Sequence, residues 1–239
     1  MNKPDVIIPL IKGGSKNNDL ELLFCLRSIE KHLTNYRNIV IVGHLPEFVQ
    51  SVIHIPFKDG PKKQANIRNK IIAAFNDGRV SEEVLFLNDD IFLLPHAFNS
   101  APDYPYLYFG DLRDCSEKAA RHFARNELIG AGLPTKWFDG HQPIRFKKGL
   151  FIEAAKHYSD DASVKSTFCN HWLIKGQEFK DLKINSSLRY HRIKEEIKGR
   201  PYFSVGDSGM NWEMKKVLSE LYPNQSKFEL IPNIKNKAA

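Results

Sequence analysis

The segment Val84–Leu94, VLFLNDDIFLL, constrains this chain more than any other. Four apolar residues, Val84 to Leu87, run without alternation into Asn88-Asp89-Asp90. A continuous apolar run closed by turn-formers is the pattern of a strand buried on both faces, as in a parallel sheet. Ligands of such sheets collect at the carboxyl ends of the strands. Two adjacent carboxylates at that place repel each other unless a cation relieves them. Carboxylate oxygens are the ligands that hard divalent ions prefer, Mg²⁺ and Mn²⁺ among them. The turn therefore reads as a metal site holding a phosphate-bearing ligand. The plainer alternative is a polar turn with two solvated aspartates. The second apolar run, Ile91 to Leu94, argues against it, because it returns the chain to the core at once.

The rest of the first 95 residues fits a parallel sheet. Asp5 to Ile11, Asn38 to Gly43 and Ser51 to Ile55 read as strands. A helix capped by Asp19 runs to about His32, with Leu22, Leu23, Leu26 and Ile29 on one face. A second spans Lys62 to Phe75 and stops at Asn76-Asp77-Gly78. Strands alternating with helices predict an α/β fold, with a mostly parallel sheet flanked by helices and right-handed crossovers. Neither GxGxxG nor GxxxxGK[ST] occurs, so neither familiar phosphate cradle is supported. The second half is more irregular and more helical. Helices are expected over Ser116–Ala131, Leu150–Tyr158, Ser163–Ile174 and Asn211–Leu221, and short strands near Tyr104–Phe109 and Tyr202–Val205. Pro134 to Gln142 reads as a loop. Asn224 onward reads as a loosely packed tail, disordered over 233–239.

Composition bounds the function without choosing it. Thirty-five Lys and Arg against 28 Asp and Glu leave a charge of +7, which suits an anionic ligand: a nucleotide, a sugar phosphate or nucleic acid. No basic run stands out as a nucleic-acid patch. Three scattered cysteines, Cys25, Cys115 and Cys169, show neither zinc spacing nor a disulfide framework and point to a reducing, cytoplasmic setting. No signal peptide is recognisable, and no segment approaches the roughly 20 apolar residues that cross a bilayer.

With these elements placed, the chain resembles the GT-A glycosyltransferases. VIIPLI followed by ELLFCLRSIEKH is similar to the opening of that Rossmann-like fold. KKQANIRNKIIAAF resembles the helix before its metal motif, and LFLNDDIFL stands at the place of that motif. LRSIEKH, IVIVG with LPEF after it, and FLNDDIFL also resemble the second conserved region of the Stealth family of sugar-phosphate transferases. FDGHQP resembles that family's histidine-proline element, and VGDSGM its late acidic element. VIIPLIKGG lacks the aromatic-rich acidic motif with which the Stealth pattern begins, and Arg145 or Lys165 stands nearest to its expected arginine.

The resemblance implies one GT-A-like domain: residues 1–95 as the nucleotide-sugar-binding half and 96–232 as the acceptor and catalytic half. Asp89 and Asp90 would hold Mn²⁺ or Mg²⁺ on the donor diphosphate. Lys63, Asn66, Arg68 and Asn88 would contact the nucleotide. Asp207, in the Gly-rich turn after Val205, would add a third carboxylate to the metal site, take the proton from the acceptor hydroxyl as a catalytic residue beside Asp90, or be an ordinary Asx turn. His141, between Gly140 and Gln142-Pro143, is a metal ligand, a general base near operating pH, or a surface residue. Lys62 also stands near a helix start where a diphosphate would lie, and Arg145, Lys147 and Lys148 form a second basic cluster close to His141 in sequence. The implied partners are a nucleotide-sugar donor and a hydroxyl-bearing acceptor, a glycan or a modified nucleic acid. The expected reaction is glycosyl transfer. Alternatives are Stealth-type transfer of sugar 1-phosphate, a nucleic-acid-binding module, and a protein that glycosylates DNA bases.

Overall fold

The structure is a computed structural model that describes residues 3–96, 98–115 and 119–230. The expected 233–239 tail lies outside them, as does the start of the helix expected from Ser116. The chain begins with β1 (Asp5–Leu10), α1 (Leu20–His32), β2 (Ile39–Gly43), β3 (Ile53–Ile55), α2 (Lys63–Asn76), β4 (Glu83–Phe86) and β5 (Ile91–Leu93). It continues with β6 (Leu107–Tyr108), α3 (Ala119–Gly130), β7 (Ile144–Lys147), α4 (Lys148–Ala155) and α5 (Val164–His171). It closes with β8 (Gln177–Glu178), β9 (Lys183–Ile184), α6 (Tyr190–Ile197), β10 (Tyr202–Val205) and α7 (Trp212–Leu221).

The main sheet has the order β3-β2-β1-β4-β7. The β3-β2, β2-β1 and β1-β4 pairs are parallel, and β7 joins β4 antiparallel at the edge. The apolar runs are continuous because both faces are covered. Val6, Ile8, Ile39, Ile41 and Leu85 face the core shared with α1 and α7. Ile7, Val40, Val42, Val84 and Phe86 face the core shared with α2, α4 and α5. Each such side chain, fully buried, contributes roughly 1.5–3 kcal/mol. The second apolar run does not stay in this sheet. As β5 it pairs antiparallel with β10, which pairs parallel with β9 in a separate three-stranded sheet. The acidic turn is thus the crossing between two sheets.

Three expectations need correction. β7, which the sequence reading left out, carries Arg145 and Lys147 back along β4. Lys147 pairs in register with Glu83, at the amino end of β4, so this cluster lies away from the carboxyl ends of the strands. Arg145 and Lys147 line another cavity there with Glu82 and Glu83. α6 was also unforeseen: only Ile193 and Ile197 are buried along it, too thin a pattern to read. Finally, residues 225–230 are not loose. Glu229 accepts two bonds from Arg27, at 2.8 and 2.7 Å, and Leu230 N–H donates to the Phe48 carbonyl at 2.7 Å. Among the described residues no helix is long and apolar enough to cross a membrane.

Candidate active site

A cleft of about 520 Å³ opens where β1 and β4 end. Its floor is the acidic turn. Leu87 N–H donates to the Ile7 carbonyl at 3.0 Å, and Val205 N–H donates to the Asp90 carbonyl at 3.2 Å. The turn is thereby pinned to both sheets. Burial, and then the neighbouring Asp90, push the Asp89 carboxyl up to about 7. Asp90 Oδ2 accepts from Lys183 Nζ at 2.8 Å. Its other oxygen, Oδ1, is buried without a hydrogen-bond partner.

The second wall is α2. Lys63, Asn66, Ile67 and Lys70 line the cleft, the spacing of one helical face. Asn66 clamps the loop before the helix, accepting from Gly60 N–H and donating to the Gly60 carbonyl, both at 2.8 Å. Lys70 is almost fully buried and donates to the Leu10 carbonyl at 2.8 Å and to Asp59 at 2.9 Å. It ties the end of β1 to the 57–61 loop. Gly43 makes room for it: at φ +112, an added Cβ would sit 2.1 Å from the Leu10 oxygen and 3.0 Å from Lys70 Nζ. The first turn of α2 carries no acidic residue and no side-chain cap, so its amide groups are free for an anion.

The third wall comes from the second half of the chain. His141 lines the cleft, and its loop is rigid for identifiable reasons. Lys165 Nζ donates to the carbonyls on either side, Gly140 at 3.1 Å and Gln142 at 2.8 Å. Burial pushes this ammonium down to about 8. Asp139 accepts from the Lys165 and Ser166 N–H groups, each at 3.1 Å, and so caps α5 from another loop. Gly140 lies against the Phe109 ring so closely that a Cβ would meet it at 2.0 Å. His141 N–H donates to Asp181 Oδ2 at 3.3 Å, and Nδ1 lies 3.6 Å from the same oxygen. Burial raises the Asp181 carboxyl, but the His141 contacts and Lys165 outweigh it and hold the group below the ordinary range. On the fourth side the Gly14–Ser15 loop is fixed by Glu21, which accepts from Ser15 at 2.6 Å and Asn17 at 2.8 Å. Asp19, expected to cap α1, has left-handed backbone geometry and makes no side-chain capping bond.

Of the residues singled out in the sequence, Lys63, Asn66, Asn88, Asp89, Asp90, His141 and Asp207 all line this one cleft. Arg68 does not. It lies on another face of α2, where its guanidinium donates to the Tyr158 and Ser159 carbonyls and Asp160. Lys62 is turned outward onto Asp161 at 2.7 Å. Asp207 needs a narrower statement. β10 does return its turn to the edge where Asp89 and Asp90 sit. Yet Asp207 is exposed, and among the described residues no three His, Cys, Asp or Glu side chains converge closely enough to hold one metal ion. The three-carboxylate metal site is therefore not formed. Sequence reading missed Lys70, Lys183, Asp59, Glu21 and Asp181. Lys70 was legible in principle, seven positions after Lys63 on one helical face. The others are brought in by tertiary contacts and had no local signal.

The chemistry of the donor set suits a hard cation at the acidic turn: paired carboxylates, one with a buried unpaired oxygen. The charge balance agrees. The lining includes the carboxylates of Glu21, Asp59, Asp89, Asp90 and Asp207 against only Lys63, Lys70 and Lys183 among lysines. Asp59 and Asp90 are already paired with Lys70 and Lys183.

No family model matches the chain, and no curated protein sequence matches it. Solved structures do. The bifunctional glycosyltransferase WbbM is 13% identical, with a TM-score of 0.51 over 94% of this chain, which spans half of that one. The galactosyltransferase LgtC, solved with donor and acceptor sugar analogues, is 10% identical, with a TM-score of 0.48 over 96% of this chain and 98% of that one. The glycosyltransferase GlyE of Streptococcus pneumoniae is 13% identical, with a TM-score of 0.46 over 93% of this chain and 61% of that one. The likeness to WbbM and the parallel sheet with its carboxyl-end cleft give the chain a GT-A-type glycosyltransferase fold.

Proposed function

We propose that the protein is a glycosyltransferase that moves a sugar from a nucleotide-sugar donor to an acceptor hydroxyl. The observation that carries this is the half-buried Asp89–Asp90 pair at the floor of a cleft with more carboxylates than lysines. A diphosphate would be repelled there unless a cation entered with it. Asp89 and Asp90 would hold Mn²⁺ or Mg²⁺, whose chemistry is to neutralise charge on the departing diphosphate. Lys63 and the open first turn of α2 would face the phosphates, with Asn66 fixing the loop beside them. Asn88 would lie against the nucleotide or the ion. In the transfer, the bond from the anomeric carbon to the diphosphate oxygen breaks, and its electron pair leaves with the nucleoside diphosphate. The acceptor oxygen bonds to that carbon. Its proton passes to His141, whose Nδ1 side is turned to Asp181.

The test is to incubate the protein with a panel of nucleotide sugars, Mn²⁺ and candidate glycan or DNA acceptors, and to identify the nucleotide released. A diphosphate supports glycosyl transfer. A monophosphate would mean that the β-phosphorus is attacked and sugar 1-phosphate moves, as in the Stealth reaction. No release from any donor, together with a salt-sensitive shift of DNA, would replace the enzyme reading with a nucleic-acid-binding one.

A further inference from the structure

Lys183 stands inside the acidic site. It lies on β9, whose pairing with β10 sets it opposite Ser204, one residue before Val205, whose N–H binds the Asp90 carbonyl. The stem is confined on the way. A Cβ at Gly206 would come within 3.3 Å of Lys183 Cε and 2.4 Å of Asn185 Oδ1, so the chain passes at a point only glycine leaves open. The ammonium arrives 2.8 Å from Asp90 Oδ2, with Lys183 22% and Asp90 18% exposed. The sheet that carries β5 and Asp90 thus also carries the cation that balances it.

A divalent ion on Asp90 and the ammonium on the same carboxylate would repel each other at close range in a partly desolvated site. Asp90 Oδ1 is unpaired and available to an entering ion, but the ammonium on Oδ2 opposes it, so the ion binds more strongly when the ammonium moves off. Once displaced, Lys183 is still tethered in the cleft, and the anion within reach is the diphosphate that accompanies the ion. We propose that Lys183 is a resident counter-cation that competes with the divalent ion for Asp90 and passes to the donor diphosphate when the ion enters. It makes ion and donor binding mutually dependent. This rests on the reading that Asp89 and Asp90 take a divalent ion. The consequence is thermodynamic: whatever factor the nucleotide adds to ion affinity, the ion adds to nucleotide affinity.

Mn²⁺ binding, followed by electron paramagnetic resonance and calorimetry on the whole chain, tests this without turnover. Lys183→Met should bind Mn²⁺ alone roughly tenfold more tightly than wild type, the loss of one competing half-buried ion pair. UDP should raise Mn²⁺ affinity in wild type by a larger factor than in the variant. Lys183→Arg, which keeps the charge, should behave like wild type. Equal or weaker Mn²⁺ binding by Lys183→Met would overturn the proposal while leaving the ion site standing. The wild-type chain supplies a second check that does not depend on how the variant folds: no mutual enhancement between Mn²⁺ and UDP would also overturn it. If neither protein binds Mn²⁺ under any condition, the ion site itself is refuted and the proposal with it.

Discussion

Replacing Lys165 with methionine gives a measurable consequence for the loop that presents His141. In the folded protein burial pushes the Lys165 ammonium down to about 8, whereas in the unfolded chain it titrates near 10.5. Below pH 8 both states carry the proton, and the fold bears a constant cost of about 3 kcal/mol for holding the charge out of water. Between the two values the unfolded chain keeps a proton that the folded one has lost, so stability rises with pH across that window. From pH 7 to pH 9.5 the expected gain from this group is about 2 kcal/mol. Lys165→Met abolishes that gain. It also takes the donor from the Gln142 carbonyl, now accepting at 2.8 Å, and one of two donors from the Gly140 carbonyl, which keeps the Gln142 N–H at 3.0 Å. Those losses, about 1–3 kcal/mol for the stranded Gln142 carbonyl and about 1 kcal/mol for the bond lost at Gly140, roughly offset the relief of the buried charge at neutral pH. The variant should therefore be close to wild type at pH 7 and weaker at pH 9.5. Urea unfolding at the two pH values, with an m-value of roughly 3 kcal/mol/M for a chain of this size, should show the gap between midpoints widening by about 0.7 M. An unchanged gap would refute the reasoning, because it would mean that Lys165 does not titrate differently on folding.

His141→Ala should lower turnover by roughly two to four powers of ten while donor binding changes far less, measured by steady-state kinetics and calorimetry; near wild-type turnover would make it a wall residue only. Asp90→Ala should abolish Mn²⁺ binding with an unchanged circular dichroism spectrum, and equal affinity in variant and wild type would remove Asp90 from the site. Glu229→Ala should cost on the order of 3 kcal/mol in urea unfolding, because it strands the Arg27 guanidinium. Burial raises the Glu229 carboxyl, but Arg27 and Ser226 outweigh it and hold it low, so its contribution is complete above pH 4.5 and lost as pH falls through the lowered folded value.

The sequence by itself determined the four parallel strands β1 to β4 of the main sheet and the place of the acidic turn. Those follow from local rules: apolar runs buried on both faces, helices between them, and turn-formers at the carboxyl end of β4. His141 and Asp207 were candidates through resemblance alone, and both line the cleft above that turn. The sequence could not give the partners of Asp90 and His141. Lys183 lies 93 positions from Asp90, and Asp181 lies 40 from His141. Neither sits in a pattern that a solvent-facing residue would lack. Nor could it tell Arg68 from Lys70 until the rotation of α2 was fixed by Ile71, Ala74 and Phe75 packing into the core. The edge strand β7 was decided the same way. Ile144-Arg145-Phe146-Lys147 alternates apolar and basic residues but is only four long; it becomes a strand because β4 offers it a free edge, and this carries Lys147 and its basic neighbours to the far end of the sheet. Periodicity is written along the chain. Which charges meet depends on how the sheets and helices cross, and that is settled by packing between segments far apart in sequence.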